Sequence, residues 1–396
     1  MLSKISTEHL KQVCLPTPNR FLLKQKVQAA IDTATQKTLL NIAKLDGQLP
    51  GEICIEGVWP RTENIGWTTG FWVGQLWLLW ELTRHESFRQ QAEQLISSFA
   101  ERLNNRIDVD HHDLGFLYTL SCVSAWKLTG NVQARETAIQ AAESLFERFN
   151  PVSKVIQAWG DLNDPEQQGR MIIDCNMNLP LLYWASQQTG DDKFALAAAQ
   201  HIQQVANYIV RPDASTHHTF YLDINTGQPR YGKTHQGYSD VSCWSRGQAW
   251  GIYGFMLSYR YTGQREYVDI TRSLAHYFLN RLPDDLVCYW DLDLNGADVY
   301  RDSSAAAIAA CGLLDLASAL PATDRYKTYY EDAALNIVNS LIDNYSSCIA
   351  ESCDGLLKHG ACNVNKNKGV DACNIFGDYF FVEALTKINQ TWNPYW

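Results

Sequence analysis

The chain has 396 residues, and its 46% hydrophobic content is enough to build a large buried core. Its formal net charge of −10 argues against a nucleic acid as its partner, because phosphate binding needs an excess of Lys and Arg. No apolar run approaches the ~18 residues that a membrane span needs, and the first residues lack the apolar core of a signal peptide. We therefore expect a cytoplasmic protein with no membrane partner.

The cysteines fit that location. There are 11, an odd number, and no two form a Cys-x-x-Cys pair, so we interpret them as reduced thiols that fill apolar space. Four of them near the end of the sequence, Cys348, Cys353, Cys362 and Cys373, are spaced more widely than zinc ligands usually are. We therefore expect no metal site there.

Apolar residues recur at helical spacing in about twelve segments, which predicts a mostly helical chain. Several pairs of segments are separated by a short hinge with a helix-ending glycine, at Gly130, Gly190 and Gly263, which predicts helical hairpins. Six hairpins with long return loops favour a toroid of inner and outer helices whose central mouth collects the loops. The segments lie at roughly 25–45, 70–85, 88–104, 114–129, 132–149, 177–189, 192–210, 245–262, 265–282, 303–319, 324–345 and 377–390.

The longest stretch without helical spacing is residues 211–242. It contains an extended pattern at 219–223 and a turn at 225–227, so we expect a small β-hairpin over the mouth. No linker rich in Pro, Gly or Ser interrupts the chain. We therefore expect residues 1–396 to form a single domain.

One of two candidates for chemistry is a cluster of three acids and two histidines within residues 108–113, at the entrance of a predicted helix; the leading candidate, Asp174, lies further along the chain. Together with a second carboxylate elsewhere, an acid of this cluster would provide the pair that glycosidases use. A zinc or iron site is the alternative, since His and Asp bind both metals. However, His111 and His112 are adjacent and cannot readily converge on one ion as an i, i+4 pair does.

The second carboxylate is Asp174, which stands in the apolar run 171–185. Burial disfavours the charged form of a carboxyl and raises its pKa, which suits a general acid that works near neutrality. The simpler explanation is that Asp174 caps the helix that begins near Pro180, because Asp favours such positions and Pro is tolerated in a first turn.

Several stretches, in this order along the chain, resemble the unsaturated glucuronyl hydrolases of glycoside hydrolase family 88. They are residues 66–72 (GWTTGFW), 110–116 (DHHDLGF), 171–175 (MIIDC), 234–240 (THQGYSD) and 244–254 (WSRGQAWGIYG). The resemblance implies an all-α fold, an (α/α)6 barrel of six helical hairpins. It also implies a reaction that needs no metal or organic cofactor, in which a 4,5-unsaturated uronic acid is removed from the non-reducing end of oligosaccharides left by polysaccharide lyases.

In that reaction C4 of the enol ether is protonated, water adds at C5, and the resulting hemiketal opens and expels the remaining sugar. The resemblance assigns Asp174 as the acid for C4 and the base for water, and Asp113 as the group that holds the hydroxyls at C2 and C3. An anionic Asp113 would also stabilise an oxocarbenium-like transition state. The implied lining of the uronate pocket is Trp67, His112, Trp159, His218, Gln236, Arg246 and Trp250.

Each lining residue also has a simpler explanation. The three tryptophans could be core residues, Arg246 could pair with a structural acid, and His218 could be a satisfied surface histidine.

The side that would hold the leaving sugar departs from family members that favour sulfated glycosaminoglycan disaccharides. Those members resemble one another in an Arg before Gln-Gly-Tyr and in a late Ser-x-x-Ser-x-Lys pattern. Here the first position is His235, and only Lys368 matches the second pattern. His235 cannot offer a sulfate two parallel hydrogen bonds, although Lys366 and Lys368 could reach it as point charges. We therefore expect a preference for unsulfated substrates.

Two other functions remain open. An unsaturated rhamnogalacturonyl hydrolase acting on pectin fragments would share the barrel and the chemistry, although residues 110–116 match the glucuronyl group better. A non-catalytic carbohydrate-binding toroid is also possible because fold does not fix function, but the pair Asp113 and Asp174 argues against it.

Overall fold

The structure is a computed structural model that describes residues 5–11 and 15–396. In this part of the chain, helices lie at all of the twelve predicted segments. The segment at 114–129 is two α-helices, α4 (Leu114–Tyr118) and α5 (Ser124–Thr129), joined by a π-helical turn at Thr119–Val123. The helices are α1 (Arg20–Leu45), α2 (Thr69–Thr83), α3 (Glu86–Asn104), α4 (Leu114–Tyr118), α5 (Ser124–Thr129), α6 (Val132–Phe146), α7 (Leu179–Thr189), α8 (Asp192–Gln204), α9 (Ser245–Thr262), α10 (Arg265–Leu279), α11 (Ser303–Ala319), α12 (Lys327–Ser340) and α13 (Ile375–Asn389).

The helices form two concentric rings. The inner ring runs α2, α4–α5, α7, α9, α11 and α13, and it closes because α13 packs on α2. Inner helices are buried on nearly every side, as in α11, where the apolar residues Ala305–Ala310 are fully buried. The outer helices α1, α3, α6, α8, α10 and α12 each bury one stripe and expose the rest. The predicted barrel of six hairpins is confirmed.

The hinges connect each inner helix to the next outer one. Gly130, Gly190 and Gly263 have φ of 72°, 74° and 68°, a left-handed conformation that ends a helix at little cost to glycine. Asn131 and Asp191 then cap the next helix through hydrogen bonds to backbone N–H groups. Because these connections are short, the long loops all lie at the other end of the barrel, where the inner helices begin. They are residues 46–68, 105–113, 147–178, 210–244, 280–302 and 346–374.

Four small antiparallel sheets stiffen these loops. The predicted hairpin is present as β6 (Thr219–Leu222) and β7 (Pro229–Lys233). A strand that was not predicted, β5 (Arg170–Ile172), extends it to three strands, with Met171 opposite Phe220 and Phe220 opposite Gly232. β5 leads directly to Asp174. The strands are β1 (Leu49–Pro50), β2 (Arg61–Thr62), β3 (Phe149–Asn150), β4 (Val155–Ile156), β5 (Arg170–Ile172), β6 (Thr219–Leu222), β7 (Pro229–Lys233), β8 (Gly360–Asn363) and β9 (Lys368–Ala372).

None of the helices within residues 5–11 and 15–396 combines the length and the apolar character that crossing a membrane requires.

Candidate active site

The amino-terminal ends of the inner helices surround the mouth of the barrel. Asp113 directly precedes α4, Arg246 lies in the first turn of α9, and Asp302 and Asn374 cap α11 and α13. A helix amino terminus carries partial positive charge, and several of them converge here. The mouth is therefore suited to an anionic ligand although the chain as a whole is acidic.

Asp174 lies in this mouth, in a 3₁₀ turn at Ile173–Met177 between β5 and α7. Its side chain caps no helix, because Asn178 occupies the capping position of α7. The cap explanation is therefore wrong. The Oδ2 atom of Asp174 is buried without a hydrogen-bond partner, and the Nε2 atom of His218 lies 3.8 Å away. Burial raises the pKa of Asp174 to about 7, against the opposing effect of the positive charge on Arg246.

Asn178 joins the loops that carry the two carboxyl groups. Its side-chain nitrogen donates to the carbonyl of Asp174 at 3.2 Å, and its Oδ1 atom accepts from the backbone N–H of Phe116 at 2.7 Å. This approach requires glycine at position 115, where a Cβ atom would lie 2.4 Å from the Cα atom of Asn178. The distance between the two carboxyl-bearing loops is therefore fixed by one glycine and one amide.

Asp113 is held between two histidines. The Nε2 atom of His112 lies 3.1 Å from Oδ1 of Asp113, and the Nδ1 atom of His111 accepts from the backbone N–H of Asp113 at 3.0 Å. Burial and the negative charge of Asp174 raise the pKa of Asp113 well above its ordinary value. The anionic Asp113 expected from the sequence is thus the disfavoured form, because two neighbouring buried carboxyls resist being ionised together.

His218 is buried in the site, so its interpretation as a surface histidine is wrong. Its Nδ1 atom accepts from the backbone N–H groups of His235 and Gln236, at 3.0 and 3.1 Å. Burial lowers the pKa of His218 well below its ordinary value, so the ring is neutral. Since Nδ1 accepts, the single ring proton sits on Nε2, the atom nearest to Asp174.

The three predicted tryptophans differ in exposure. Trp67 and Trp159 are half-buried, with Trp67 donating to Oε1 of Glu52 at 2.9 Å and Trp159 packing 5.0 Å from the ring of His235. Trp250 is fully buried and packs on Phe116 at 5.2 Å. Trp250 thus packs like a core residue but also acts on the site, because its indole N–H, as a donor towards Asp174, opposes the raised pKa of that carboxyl. The other two rings keep surface for a ligand.

Arg246 is fully buried and paired with a structural acid, which is the simpler of the two explanations that the sequence allowed. Its Nη1 atom lies 2.7 Å from Oδ2 of Asp302 and donates to the carbonyl of Ala361, while Nη2 donates to the carbonyl of Cys362 at 2.7 Å. These bonds tie α9 to α11 and β8. The guanidinium thus fixes the wall of the site, and its charge still acts on Asp174.

The remaining predicted residues lie at the rim. Gln236 donates to the carbonyl of Cys362 at 2.9 Å, and His235 is exposed. Lys368 is also exposed and forms an ion pair with Glu52. Lys366 is also exposed. Partial desolvation of the His235 ring and the positive charge of Lys366 both lower the pKa of His235.

Three residues of the site were missed from the sequence: Glu52, Asn178 and Asp302. Glu52 lies in a loop without any periodic pattern and accepts from Trp67, Cys362 and Lys368. Asp302 precedes Ser303, Ser304 and an alanine-rich helix, which is a readable capping signal, but its pairing with Arg246 spans 56 positions. Within residues 5–11 and 15–396, no group of three or more His, Cys, Asp or Glu side chains has the geometry to hold a metal ion.

Proteins of one known family match this chain over almost its whole length. The sequence profile of Glycosyl Hydrolase Family 88 matches residues 48–390. A Streptococcus pneumoniae protein named unsaturated chondroitin disaccharide hydrolase is 43% identical, with all of both chains covered. The crystal structure of the Streptococcus agalactiae unsaturated glucuronyl hydrolase superposes with a TM-score of 0.94 at 41% identity over 99% of both chains. An Asp-to-Asn mutant of it, complexed with dGlcA-GalNAc6S, superposes with a TM-score of 0.86 at 39% identity over 99% of both chains.

Proposed function

Because the chain belongs to glycoside hydrolase family 88, we propose that it removes a 4,5-unsaturated uronic acid from the non-reducing end of glycosaminoglycan fragments that lyases have produced. The observation that carries this proposal is the carboxyl group of Asp174, which is buried and unpartnered at Oδ2, and whose pKa burial raises to about 7. Relatives named for unsaturated chondroitin disaccharides and unsaturated glucuronyl groups support the same substrate class.

In the proposed reaction, Asp174 transfers its proton to C4 of the enol ether. The positive charge that develops at C5 and the ring oxygen is met by the new carboxylate, which then takes a proton from the water that adds at C5. One residue can serve both half-steps because its pKa of about 7 leaves both forms accessible. The hemiketal at C5 then opens and the remaining sugar leaves.

The neighbouring groups have separate proposed roles. The Nε2–H group of His218, 3.8 Å from Asp174, stabilises the carboxylate after it has lost its proton. Asp113, with its raised pKa, both accepts from and donates to the ring hydroxyls at C2 and C3. Trp67 and Trp159 offer faces to the sugar ring, and the helix amino termini hold the uronate carboxylate. His112, Gln236 and Trp250 complete the pocket, and Arg246 positions its wall.

The order of bond changes can be tested in heavy water. Hydration places one deuterium at C4 of the released uronate, whereas direct displacement at the anomeric carbon leaves C4 unlabelled. Mass spectrometry of the product, corrected for exchange after ring opening, decides between them. An unlabelled C4 would contradict the hydration route and return the two carboxyls to ordinary glycosidase roles.

The substrate class is tested with unsaturated disaccharides from hyaluronan, chondroitin, heparin and rhamnogalacturonan lyases. We expect the highest kcat/KM among the glycosaminoglycan products. A preference for the rhamnogalacturonan product would favour the pectin-directed alternative, and no turnover on any of them by folded protein would favour a carbohydrate-binding role.

We also propose that residues 1–396 act as a single catalytic domain, supported by one continuous hydrophobic core among the described residues. A cytoplasmic location is supported by the ten described cysteines, which are all free thiols.

A further inference from the structure

Three cysteines that are far apart in the sequence meet behind the wall of the mouth. The Sγ atoms of Cys353 and Cys373 are 3.4 Å apart, and both thiols act on the neighbouring thiol of Cys54, whose pKa they raise. Gly355 leaves the space that they share, because a Cβ atom at this position would lie 2.7 Å from Sγ of Cys373 and 3.4 Å from Sγ of Cys54. We call Cys54, Cys353 and Cys373 the thiol cluster.

The three thiols are unequal in accessibility and in acidity. Cys54 and Cys373 are buried, whereas Cys353 is partly exposed. Hydrogen bonds from the thiols of Cys373 and Cys54 lower the pKa of Cys353, and the positive charge of Lys37, whose Nζ atom lies 2.6 Å from the carbonyl of Cys353, acts in the same direction. A partly exposed, readily ionised thiol beside a second thiol is the arrangement in which disulfide exchange is fast.

The thiol cluster is connected to the pocket through two loops, residues 46–68 and 346–374. The backbone N–H of Cys54 donates to the carbonyl of Cys373 at 2.9 Å, and that of Ile375 donates to the carbonyl of Glu52 at 3.1 Å. Glu52 in turn holds Trp67 and Lys368 at the rim of the mouth. A displacement of the cluster is therefore transmitted to residues that face the ligand, but not directly to Asp174, which lies on another loop.

We propose that Cys353 and Cys373 form a reversible disulfide in the presence of a low-molecular-weight disulfide, and that this bond weakens substrate binding. With a disulfide RSSR, the thiolate of Cys353 attacks one sulfur, forms a mixed disulfide and releases RS⁻. The thiol of Cys373 then loses its proton and attacks the Sγ atom of Cys353, forming the internal disulfide and releasing the second RS⁻. Two cysteine thiols are oxidised, and RSSR is reduced to two thiols.

The consequence for binding follows from the geometry. A disulfide bond is about 2.05 Å long, so the two sulfurs, now 3.4 Å apart, must approach by about 1.3 Å. Cys373 directly follows β9, the strand that begins at Lys368, so any backbone movement that the new bond imposes on Cys373 reaches the rim through this strand. We expect KM to rise several-fold while kcat changes little.

The test uses the full chain incubated with oxidised glutathione, followed by alkylation of free thiols and peptide mapping. We expect a Cys353–Cys373 linked peptide that disappears on reduction with dithiothreitol. In a Cys54→Ser/Cys373→Ser double variant, the glutathione adduct should be trapped on Cys353. The control is Cys348→Ser, which removes an exposed cysteine that should not be needed for the link.

Other outcomes overturn the proposal. It fails if wild-type protein forms no link, if the link joins Cys54 to Cys373, or if untreated protein retains a metal ion bound by these thiols. A complete Cys353–Cys373 disulfide with an unchanged KM also overturns it. The binding effect rests on the proposed function, but peptide mapping does not, so a failure of the cluster chemistry is distinguishable from a failure of the substrate assignment.

Discussion

At the scale of single residues, the environment of Asp174 determines its proton affinity. An exposed carboxyl would be ionised at neutral pH, whereas burial brings this pKa to about 7. The positive charge that opposes this shift, on Arg246, is paired with Asp302 and offsets burial only in part. The residue can therefore give its proton to a substrate without any cofactor to activate it.

Replacing Asp174 by Asn removes the acid while nearly keeping the shape of the side chain. We expect turnover to fall by about 10²-fold or more, the usual scale for loss of general acid–base catalysis. The measurement is kcat on an unsaturated disaccharide, with circular dichroism as the check on folding. Near-wild-type turnover in the folded Asp174→Asn protein would remove this residue from the mechanism.

The raised pKa of Asp174 also predicts two pH dependences. Because the acid must be protonated, kcat/KM should fall by about tenfold per pH unit above pH ~7.

The second pH dependence concerns stability. The pKa of Asp174 in the folded protein exceeds the ordinary value of 3.8, so the stability that this group contributes is complete below pH ~3.8 and is lost as the pH rises to ~7. The Tm of Asp174→Asn relative to wild type should therefore increase between pH 4 and pH 8. A difference in Tm that stays constant between pH 4 and pH 8 would contradict a pKa of about 7 for Asp174.

His235 governs the prediction for sulfated substrates. It is exposed at the rim, it carries no fixed charge, and the ion pair with Glu52 already occupies Lys368. We expect wild-type protein to prefer unsulfated over 6-sulfated unsaturated chondroitin disaccharide, and His235→Arg to reduce that preference. The measurement is kcat/KM for both substrates. A wild-type preference for the sulfated sugar of about tenfold, or ~1.4 kcal/mol, would show that other groups recognise the sulfate.

At the scale of elements, the site depends on how closely α4 approaches the turn that carries Asp174. Helix α4 begins at Leu114, and its second residue, Gly115, touches the backbone of Asn178. A larger residue cannot be accommodated by rotating a side chain, because the contact at 2.4 Å is with a Cα atom. The backbone itself must move.

Gly115→Ala is therefore expected to separate the two carboxyl-bearing loops. We expect a lower Tm, from overpacking of about 1–3 kcal/mol, and a loss of kcat larger than the change in KM, because the Asp113–Asp174 spacing changes. Gly130→Ala is the matched control, since its Cβ would meet no atom within 4 Å and only its φ of 72° is strained. The control should lose stability but keep kcat at temperatures below its Tm.

At the scale of the whole molecule, chemistry and stability are separated along the barrel axis. The mouth holds unpartnered polar groups, whereas the interior further down is filled by aromatic rings, with Trp396 stacked on Phe380 at 6.0 Å. The indole N–H of Trp396 donates to Oε2 of the buried Glu383 at 2.8 Å, beside hydrogen bonds from Tyr253 and Tyr379. These rings and hydrogen bonds fill the space inside the inner ring of helices, and we expect them to stabilise its closure.

Trp396→Phe should keep most of the packing but leave Oε2 of Glu383 with one donor, Tyr379, instead of two. We expect the free energy of unfolding to fall by about 0.5–1.5 kcal/mol, the usual contribution of one hydrogen bond. The KM and the pH profile should not change, because Trp396 does not line the mouth. Denaturant unfolding and steady-state kinetics on the same preparation test both statements, and a shifted pH profile would contradict the separation.

The sequence by itself determined the elements. Helical spacing gave all twelve helical segments, because a helix between two layers must repeat its buried face every 3.6 residues, and Gly130, Gly190 and Gly263 marked the hinges because left-handed caps favour glycine. The resemblance in the stretches around Asp113 and Asp174 also pointed to the family. These are signals carried by neighbouring residues, so they can be read without a structure.

Only the tertiary structure decided the environments. The raised pKa of Asp113, the tautomer of His218 and the burial of Arg246 against Asp302 all depend on residues distant in the sequence. The same is true of the meeting of Cys54 with Cys353 and Cys373, which the spacing of the cysteines concealed. Proton affinity and hydrogen bonding depend on desolvation and on distances of a few ångströms, and these are set only when the six loops close over the mouth.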